Sequence, residues 1–423
     1  MRIEGDSQTS RLKCLRSPLI WAGGFFFGEK AQVVVQGDLV GVPESEIKGR
    51  GEVMAAILVL GPKVPFTRGG QEILVGNLVR ELRLRGHDVD TVELPLRLVD
   101  TTSILKQAAL WRSLDIDEFA GKKVDLVIAT KFPSYCVNHP RKSLWLVHQE
   151  RSAYELLGGR FSDFSDDPRD ALVREELLEI DTNAIAECRF RAGISRNVVE
   201  RLRVCNKLTA EVLYPPLPLG ERYRCEAVEP YILSVGRICT IKRIDLIVKA
   251  LPYIDANIRL KIAGLPDEPG VLDYLTNEIA KHHLEERVEF LGRVSDDELL
   301  SLYARAWMVY YAPFDEDYGY VTLEALASGK PVITAVDSGG TLEFITHHET
   351  GVVAEPTPKA MGSVVQEVVT SPSLQDKMAQ RAVDFVAERG FLRSGWEVII
   401  ERLLSPLRET DEEDSGSNEV RPA

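Results

Sequence analysis

The stretch YYAPFDEDYGYVTLEALASGKPVITAV, residues 310–336, contains the pattern on which the rest of the chain is organised. An apolar run at 310–313 leads into an acidic loop at 315–317, and a helical pattern follows over 319–328. A second apolar run begins at Pro331. This order predicts a strand, a loop, a helix, a tight turn and a second strand, which is the repeating unit of a parallel α/β sheet.

Two glutamates in this stretch, Glu316 and Glu324, stand eight positions apart, the first in the loop and the second inside the helix. The first turn of a helix presents unpaired backbone N–H groups and the positive end of the helix dipole, which together favour a bound anion. A ligand with phosphate and hydroxyl groups would suit such a site, because N–H groups bind phosphate and carboxylates accept from hydroxyls.

Short apolar runs alternate with helical patterns from Met54 onward, in both halves of the chain. Such alternation indicates parallel strands joined by helices. The sequence therefore predicts two doubly wound, Rossmann-like parallel-sheet domains that face each other across a cleft, with ligands at the carboxyl ends of the strands. We place the first domain at 54–217, with 151–206 mostly helical, and the second domain at 218–390. Residues 211–220 are predicted to be a strand that runs into a proline-rich connection, which marks the domain boundary.

The remaining segments are interpreted from composition. Residues 1–53 have a basic start and a short apolar run that is interrupted by glycines, with no small-residue cleavage site after it. We expect a poorly ordered extension there rather than a signal peptide. Residues 391–407 form an amphipathic pattern, and we expect a helix that can pack back on the first domain. The acidic segment 408–423 is expected to be disordered.

Composition indicates a soluble α/β protein. Of 423 residues, 44% are hydrophobic and 27% charged, and no apolar run reaches the ~20 residues that a membrane helix needs. The net charge of -14 argues against nucleic acid as a partner. The six cysteines lack metal-ligand spacing, and we read them as thiols of a reducing cytoplasm. We expect a cytoplasmic location, with the inner face of the membrane as a site of peripheral contact.

The segment EDYGYVTLE resembles the E-x7-E signature of family 4 retaining glycosyltransferases, the glycosyl transferases group 1 with the GT-B fold. The following ALASGKPVITAVDSGGTLEFITHHETGVV resembles the family's continuation, and the resemblance extends over about 54–405. It implies transfer of a sugar, with retention at the anomeric carbon, from a nucleotide-diphosphate sugar to a glycan, lipid-linked or small-molecule acceptor bound on the first domain. Polysaccharide biosynthesis is one role that this activity would serve.

The segment SVGRICTIKRID is similar to the family's G-R-x(4)-K element, whose arginine and lysine bind the donor diphosphate. By themselves, Arg237 and Lys242 could equally be solvated loop charges; the resemblance implies a catalytic cationic pair beside Gly236. We expect Arg243 at the surface. The resemblance also implies that Glu316 holds hydroxyls of the donor sugar and that Glu324 holds the ribose. Further donor contacts are implied for Gly319, Tyr320, Val321 and Thr322.

Two features of the first half could reach the same ligand. Gly69 and Gly70 precede a helix where a doubly wound fold binds anions, although GPKVPFTRGGQE is not a G-x-G-x-x-G fingerprint and a plain turn is the alternative. It resembles the glycine-rich loop of the family. His148 ends a buried-type strand, where a satisfied polar group is common; the resemblance implies a catalytic-site contact with the donor sugar.

The residues Asp315 and Asp317 also spell D-x-D, the metal motif of GT-A glycosyltransferases. A divalent ion held by carboxylates and diphosphate would be chemically sensible. We nevertheless expect no metal and no other cofactor, because Arg237 and Lys242 already supply positive charge and a GT-A enzyme would lack the second strand-and-helix domain.

Other interpretations remain open. The chain could be a GT-B nucleotide-sugar epimerase, or a sugar-nucleotide binding protein without catalysis. Arginines on two amphipathic helices could contact an anionic membrane, or they could form solvated helix faces. They are Arg80, Arg83, Arg85, Arg196, Arg201 and Arg203.

Overall fold

The computed structural model describes residues 54–65, 69–97, 99–391 and 395–408, which belong to a single unit of the fold. The extension expected at 1–53 and the acidic tail from residue 409 onward lie outside the described residues.

The first domain is built on six parallel strands. Its elements, in chain order, are β1 (Ala56–Lys63), α1 (Gly70–Leu84), β2 (Asp88–Pro95), α2 (Thr101–Arg112), β3 (Glu118–Phe119), β4 (Lys122–Lys123), β5 (Leu126–Ala129), β6 (Lys142–Leu146), α3 (Pro168–Ala186), β7 (Phe190–Gly193), α4 (Arg196–Asn206) and β8 (Glu211–Val212). The sheet order is β2-β1-β5-β6-β7-β8, and β3 and β4 form a separate antiparallel pair. All four residues of β5 are fully buried, as expected for a strand covered on both faces.

The second domain has six parallel strands in the order β11-β10-β9-β12-β13-β14. Its elements are β9 (Tyr231–Val235), α5 (Ile244–Ala250), β10 (Arg259–Ala263), α6 (Val271–Lys281), β11 (Val288–Gly292), α7 (Asp296–Arg305), β12 (Met308–Tyr310), α8 (Tyr320–Ala327), β13 (Val332–Ala335), β14 (Gly351–Ala354), α9 (Pro358–Val369) and α10 (Pro372–Arg389). This is the 3-2-1-4-5-6 order of a dinucleotide-binding domain. The predicted fold of two doubly wound parallel sheets is confirmed.

Strand order determines where a ligand can bind. In each sheet the order reverses beside the first strand, between β1 and β5 and between β9 and β12, and such switch points hold ligands at the carboxyl ends of the strands. The chain leaves β9 into the loop that contains Lys242, and it leaves β12 into the acidic loop 315–317. Residues from adjacent strands therefore meet at one edge of the second sheet.

One strand was not predicted from the sequence. Residues 151–206 are mostly helical, as predicted, but β7 lies between α3 and α4 and joins the sheet beside β6. Its four residues are too few to show a period in the sequence. The strand predicted in 211–220 is present as β8 and is only two residues long. Pro215 and Pro216 follow shortly after it, and neither has a backbone N–H to donate to a ladder.

A C-terminal helix, α11 (Gly395–Leu403), packs against the first domain. Trp396 is 6% exposed, and its ring meets that of Trp145 in β6 edge to face, with the centroids 5.9 Å apart. The hydroxyl of Ser143 donates to the carbonyl oxygen of Leu403 at 2.7 Å. The chain thus returns from the second domain to the first. Among the described residues, no helix combines the length and apolar composition required to span a bilayer.

We predict that Trp396→Ala lowers the free energy of unfolding by about 3–5 kcal/mol, because it removes a large buried ring and leaves a cavity. Val398→Ala, on the same helix at 55% exposure, should change that free energy by less than about 0.5 kcal/mol. Urea unfolding followed by circular dichroism measures both. Equal effects of the two substitutions would contradict the docking of α11.

Candidate active site

An ion pair between Lys242 and Glu316 lies where the loops after β9 and β12 meet. The Lys242 ammonium also donates to the hydroxyl of Tyr311 at 2.9 Å. The two charged side chains are 17% and 16% exposed. Burial acts to raise the pKa of Glu316, but Lys242 and Arg151 outweigh it and lower that pKa below its ordinary value. Glu316 is therefore a carboxylate at neutral pH.

The N-terminus of α8 lies beside this pair, as the sequence predicts. Gly319 precedes the helix at φ 81°, and a Cβ atom there would lie 2.8 Å from Tyr311. Only glycine permits this approach. The same Cβ would lie 3.3 Å from the hydroxyl oxygens of Thr322 and Thr341. Both hydroxyls are buried and neither has a hydrogen-bond partner among the described residues, so they are donors available to an anion at the helix end.

Arg237 is placed less centrally than Lys242. Its guanidinium forms an ion pair with Asp267, and its side chain is 49% exposed. Burial acts to lower the pKa of Arg237, but the nearby Asp267 carboxylate outweighs this effect and raises the pKa. Glu316 makes a smaller contribution in the same direction. The residue that precedes Arg237, Gly236, has a φ of 127°. Glycine adopts this backbone conformation readily, so the chain can turn at this position. The structure thus brings Lys242 and Glu316 together directly and keeps Arg237 within electrostatic reach of the same carboxylate.

The second glutamate of the motif, Glu324, has a different environment. It is 8% exposed, and its carboxylate accepts from the hydroxyls of Tyr303 at 2.7 Å and Tyr223 at 3.2 Å. Burial raises the pKa of Glu324, although both tyrosine bonds act in the opposite direction. A carboxylate can accept about four hydrogen bonds, so capacity for ribose hydroxyls remains. The neighbouring Val321 is half-buried in the first turn of α8.

The N-terminus of α1 faces that of α8 from the first domain. A Cβ atom at Gly70 would lie 3.4 Å from the ring of Tyr320, the first residue of α8. The N–H of Gly69 donates to the carboxylate of Glu72 at 2.8 Å, a capping interaction. Gly70 therefore lies at the meeting point of the two helices, whereas the Gly69 N–H is already occupied in this structure.

His148 lies just beyond the end of β6 and is half-buried. Its Nδ1–H donates to the carbonyl oxygen of Gln149 at 2.5 Å, which leaves Nε2 as an acceptor. Burial lowers the pKa of His148 to about 4, against the opposing effect of Asp317 in the second domain. The imidazole is thus neutral at physiological pH and lies near the acidic loop.

Lys131 is a cleft residue that the sequence analysis missed. It follows β5 at the switch point of the first sheet. Burial lowers the pKa of Lys131, and the carboxylates of Glu72 and Glu150 act in the opposite direction. The positive charge of Arg237, in the second domain, also acts to lower this pKa. The sequence could have indicated Lys131 as a site residue, because it follows a buried strand and ligands bind at the carboxyl ends of such strands.

The acidic loop is contacted by arginines whose roles the sequence did not reveal. Arg201 was expected on a solvated or membrane-facing surface of its helix, but its side chain is 6% exposed and its Nη1 lies 2.6 Å from Oδ1 of Asp317. Burial acts to raise the pKa of Asp317, but Arg151 and Arg201 lower it to about 2. Residue spacing on α4 cannot show a partner more than a hundred positions away.

The expected surface position of Arg243 is also wrong. The guanidinium is buried and donates to the carbonyl oxygens of Ala312 and Pro313, both at 2.8 Å. It also forms an ion pair with Asp337 at 2.7 Å. Arg243 therefore fastens the end of β12 to the loop after β13, and it is a structural support of the acidic loop.

The two aspartates of the D-x-D sequence are each engaged by a first-domain side chain. Asp317 pairs with Arg201, and Asp315 accepts from the side-chain amide of Asn197 at 2.7 Å. Within the described ranges, no group of three or more His, Cys, Asp or Glu residues is arranged to hold a metal ion.

Sequence comparison identifies a family profile and several similar proteins. The profile of the family "Glycosyl transferases group 1" matches residues 224–385. An uncharacterized glycosyltransferase of Methanocaldococcus jannaschii is 33% identical over 164 residues, which cover 38% of this chain and 41% of that protein. The human alpha-1,3/1,6-mannosyltransferase ALG2 is 28% identical over 236 residues, covering 48% of this chain and 54% of ALG2. The chain thus spans about half the length of these relatives.

Solved structures resemble the chain over both domains. A sucrose-phosphate synthase from Thermosynechococcus elongatus has a TM-score of 0.66 at 18% identity, covering 84% of this chain and 98% of that one. Anabaena Alr3699/HepE, solved in complex with UDP-glucose, has a TM-score of 0.60 at 16% identity, covering 83% and 100%. At these identities the likeness establishes the fold, which is GT-B. The family profile and the relatives confirm the resemblance seen in the E-x7-E segment, and the match to the glycosyl transferases group 1 profile lies within the second domain, from just before β9 into α10.

Proposed function

We propose that the protein is a retaining glycosyltransferase that moves a sugar from a nucleotide-diphosphate sugar to a glycan, lipid-linked or small-molecule acceptor. The observation that carries the proposal is the grouping of Lys242, Glu316 and the N-terminus of α8 around Tyr311. Cationic and N–H groups there suit a diphosphate, and the carboxylate paired with that cation suits sugar hydroxyls.

Donor binding would exchange one counter-ion for another at Lys242. Without donor, Glu316 neutralises the ammonium. A diphosphate carries more charge and would take over Lys242, while the hydroxyls of Thr322 and Thr341 would donate to it from the helix end. Glu316 would then be released to accept from hydroxyls of the donor sugar. The ion pair seen here is thus a preformed half of the donor site.

The chemical step breaks the bond between the anomeric carbon and the diphosphate, so negative charge grows on the leaving group. Lys242, Arg237 and the α8 N-terminus would stabilise that charge. Prearranged groups of this kind contribute several kcal/mol to lowering a barrier, because they need little reorganisation. Glu324, held by Tyr303 and Tyr223, would accept from the ribose hydroxyls. Neutral His148 would contact the sugar through Nε2 as an acceptor.

The acceptor would dock on the first domain, near Lys131 and the α1 N-terminus. A contact of the protein with anionic lipid would be supported by the exposed Arg80 on α1. Arg80 on α1 and Arg203 on α4 are both exposed and each pairs with a glutamate on its own helix, whereas Arg201 is buried and cannot contribute to such a contact. A lipid-linked acceptor is therefore one class among three to be tested.

A thermal-shift screen of nucleoside-diphosphate sugars tests the proposal, beginning with UDP-glucose. A donor that binds the native state raises the melting temperature as its concentration exceeds Kd. Acceptor-dependent release of nucleoside diphosphate, with a product that keeps the anomeric configuration of the donor sugar, would support retaining transfer. Epimerised nucleotide sugar as the product, or donor binding without turnover over a broad acceptor panel, would contradict it.

We predict that Lys242→Ala or Arg237→Ala reduces kcat/KM at least ~100-fold with the fold intact, because each removes charge stabilisation of the leaving diphosphate. Lys281→Ala, an exposed lysine at the end of α6, serves as the control and should match the wild type. Initial rates and circular dichroism measure the effects. Near-normal rates from both site variants would remove Lys242 and Arg237 from the mechanism.

We predict that activity is unchanged by a chelator such as EDTA. The two outer carboxylates of the D-x-D sequence are engaged by Arg201 and Asn197, and a divalent ion would have to displace these partners. The measurement is the transfer rate after exhaustive dialysis against EDTA. Loss of activity that Mn²⁺ or Mg²⁺ restores would show that the loop binds metal.

We predict that the imidazole of His148 titrates near pH 4, since burial disfavours its charged form. It should stay neutral between about pH 6 and 8 and add no limb to the pH–rate profile there. NMR titration of the ring proton resonance, assigned by its loss in His148→Gln, measures the pKa. A midpoint above about pH 6 would show that His148 is charged by a nearby carboxylate instead.

A further inference from the structure

The loop that carries Glu316 is contacted from the first domain at all three of its acidic residues. Five charged side chains form this contact, and we call them the interdomain clasp: Arg151, Glu155, Arg201, Asp315 and Asp317. The Arg201 guanidinium lies 2.6 Å from Asp317, 3.0 Å from Glu155 and 3.6 Å from Asp315. Arg151 forms ion pairs with Glu155 and, at 3.6 Å, with Asp317.

Burial sets the clasp apart from ordinary surface ion pairs. The side chains of Arg201, Glu155 and Asp317 are 6%, 8% and 9% exposed. Withdrawing such charges from water opposes folding about as strongly as their attraction favours it, so a buried cluster contributes little net stability. What it does provide is a defined geometry, because each charge must keep its partner within reach.

The backbone of the loop is held from the same side. The side-chain amide of Asn197 in α4 donates to the carbonyl oxygen of Glu316 at 3.0 Å. Arg151 donates to the carbonyl oxygen of Asp315, whose φ of 41° is uncommon for a residue other than glycine. The first domain thus fixes the conformation of the chain on both sides of the Glu316 Cα atom.

A further contact holds the start of α4 against the second domain. Glu343, in the short helix after β13, accepts from the N–H groups of Arg196 and Asn197 at 3.0 and 2.8 Å. It therefore caps the N-terminus of a first-domain helix. The α4 helix is held at its first turn by Glu343 and one turn later by Asp317, and the loop with Glu316 lies between these two contacts.

We propose that Arg201 and Asp317 are positioning residues, which act across the domain interface to hold Glu316 where it meets the donor sugar. This inference rests on the proposed function, because it concerns the carboxylate that receives the sugar hydroxyls. Under that function, most donor affinity would come from the groups that hold the nucleotide and the diphosphate, which are Lys242, Arg237, Glu324 and the α8 N-terminus, all in the second domain. Disrupting the clasp should therefore reduce the rate of transfer much more than donor binding.

The test uses the full chain and four variants: Arg201→Met, Asp317→Asn, the double variant R201M/D317N, and Arg203→Met. The last is a matched control, because Arg203 lies on the same helix, is 61% exposed and pairs with Glu200. Arg201→Met removes the nearest partner of the buried Asp317 carboxylate and leaves it Arg151 at 3.6 Å, so this variant is expected to be less stable than the wild type. The double variant removes both charges and should recover most of the lost melting temperature.

We expect kcat of Asp317→Asn and of the double variant to fall about 10- to 100-fold, since small misplacements of a reacting group have effects of this size. The donor Kd, measured by calorimetry, should change less than about threefold, because Glu316 would contact only the sugar while the contacts to the nucleotide and the diphosphate stay in place. Recovery of stability without recovery of kcat in the double variant would separate positioning from folding. A double variant with wild-type kcat would overturn the proposal, as would a loss that lies entirely in donor Kd.

Hydrogen exchange of the backbone amides at 315–320 tests the interdomain clasp without measuring sugar transfer, so it can fail or succeed independently of the proposed function. Exchange there should be faster in the double variant than in the Arg203→Met control. If the wild type transfers no sugar at all, the proposed function fails while the exchange result still tests the clasp. Unchanged exchange would show that Arg201 and Asp317 do not hold the loop.

Discussion

The structure of the cleft depends on a single constraint, the neutralisation of Glu316 by Lys242. These residues belong to loops that follow two adjacent strands, β9 and β12, so the sheet itself brings them together. The pair is largely withdrawn from water, where an unmatched charge would be strongly unfavourable. Tyr311 extends the contact to the N-terminus of α8. The ion pair that neutralises the buried charges of this loop therefore also places a cation next to hydroxyl donors without partners among the described residues, and an anion could bind to both.

The two glutamates of the E-x7-E segment show how one motif supports two chemical tasks. Glu316 has its pKa lowered by cations, although burial acts the other way. Glu324 has its pKa raised by burial, with tyrosine hydroxyls as its partners. One carboxylate is held by charge and can change its counter-ion, while the other is held by neutral hydrogen bonds and stays in place. Such a division suits a ligand whose phosphates are charged and whose ribose is neutral.

The sequence was sufficient to predict the fold and the start of α8 after the acidic loop, because those depend on local order. Apolar runs alternating with helices predicted both sheets, and the glycine before α8 predicted the helix end. What it could not show were contacts between distant segments. Arg201 and Arg243 read as surface residues, since a charged residue within a polar pattern usually is one, and both are buried. The β7 strand was missed because four residues cannot display a period.

The acidic loop gives the clearest case of such a distant contact. Its side chains alternate in direction: Asp315 and Asp317 contact the first domain, while Glu316 between them contacts Lys242 in the second. The D-x-D sequence thus arises from alternation along a loop that lies between two domains, with the outer carboxylates facing one and the central carboxylate the other. Because the three residues share one backbone, a change in how the domains meet must move Glu316 as well. The position of the carboxylate at the donor site is therefore a property of both domains together.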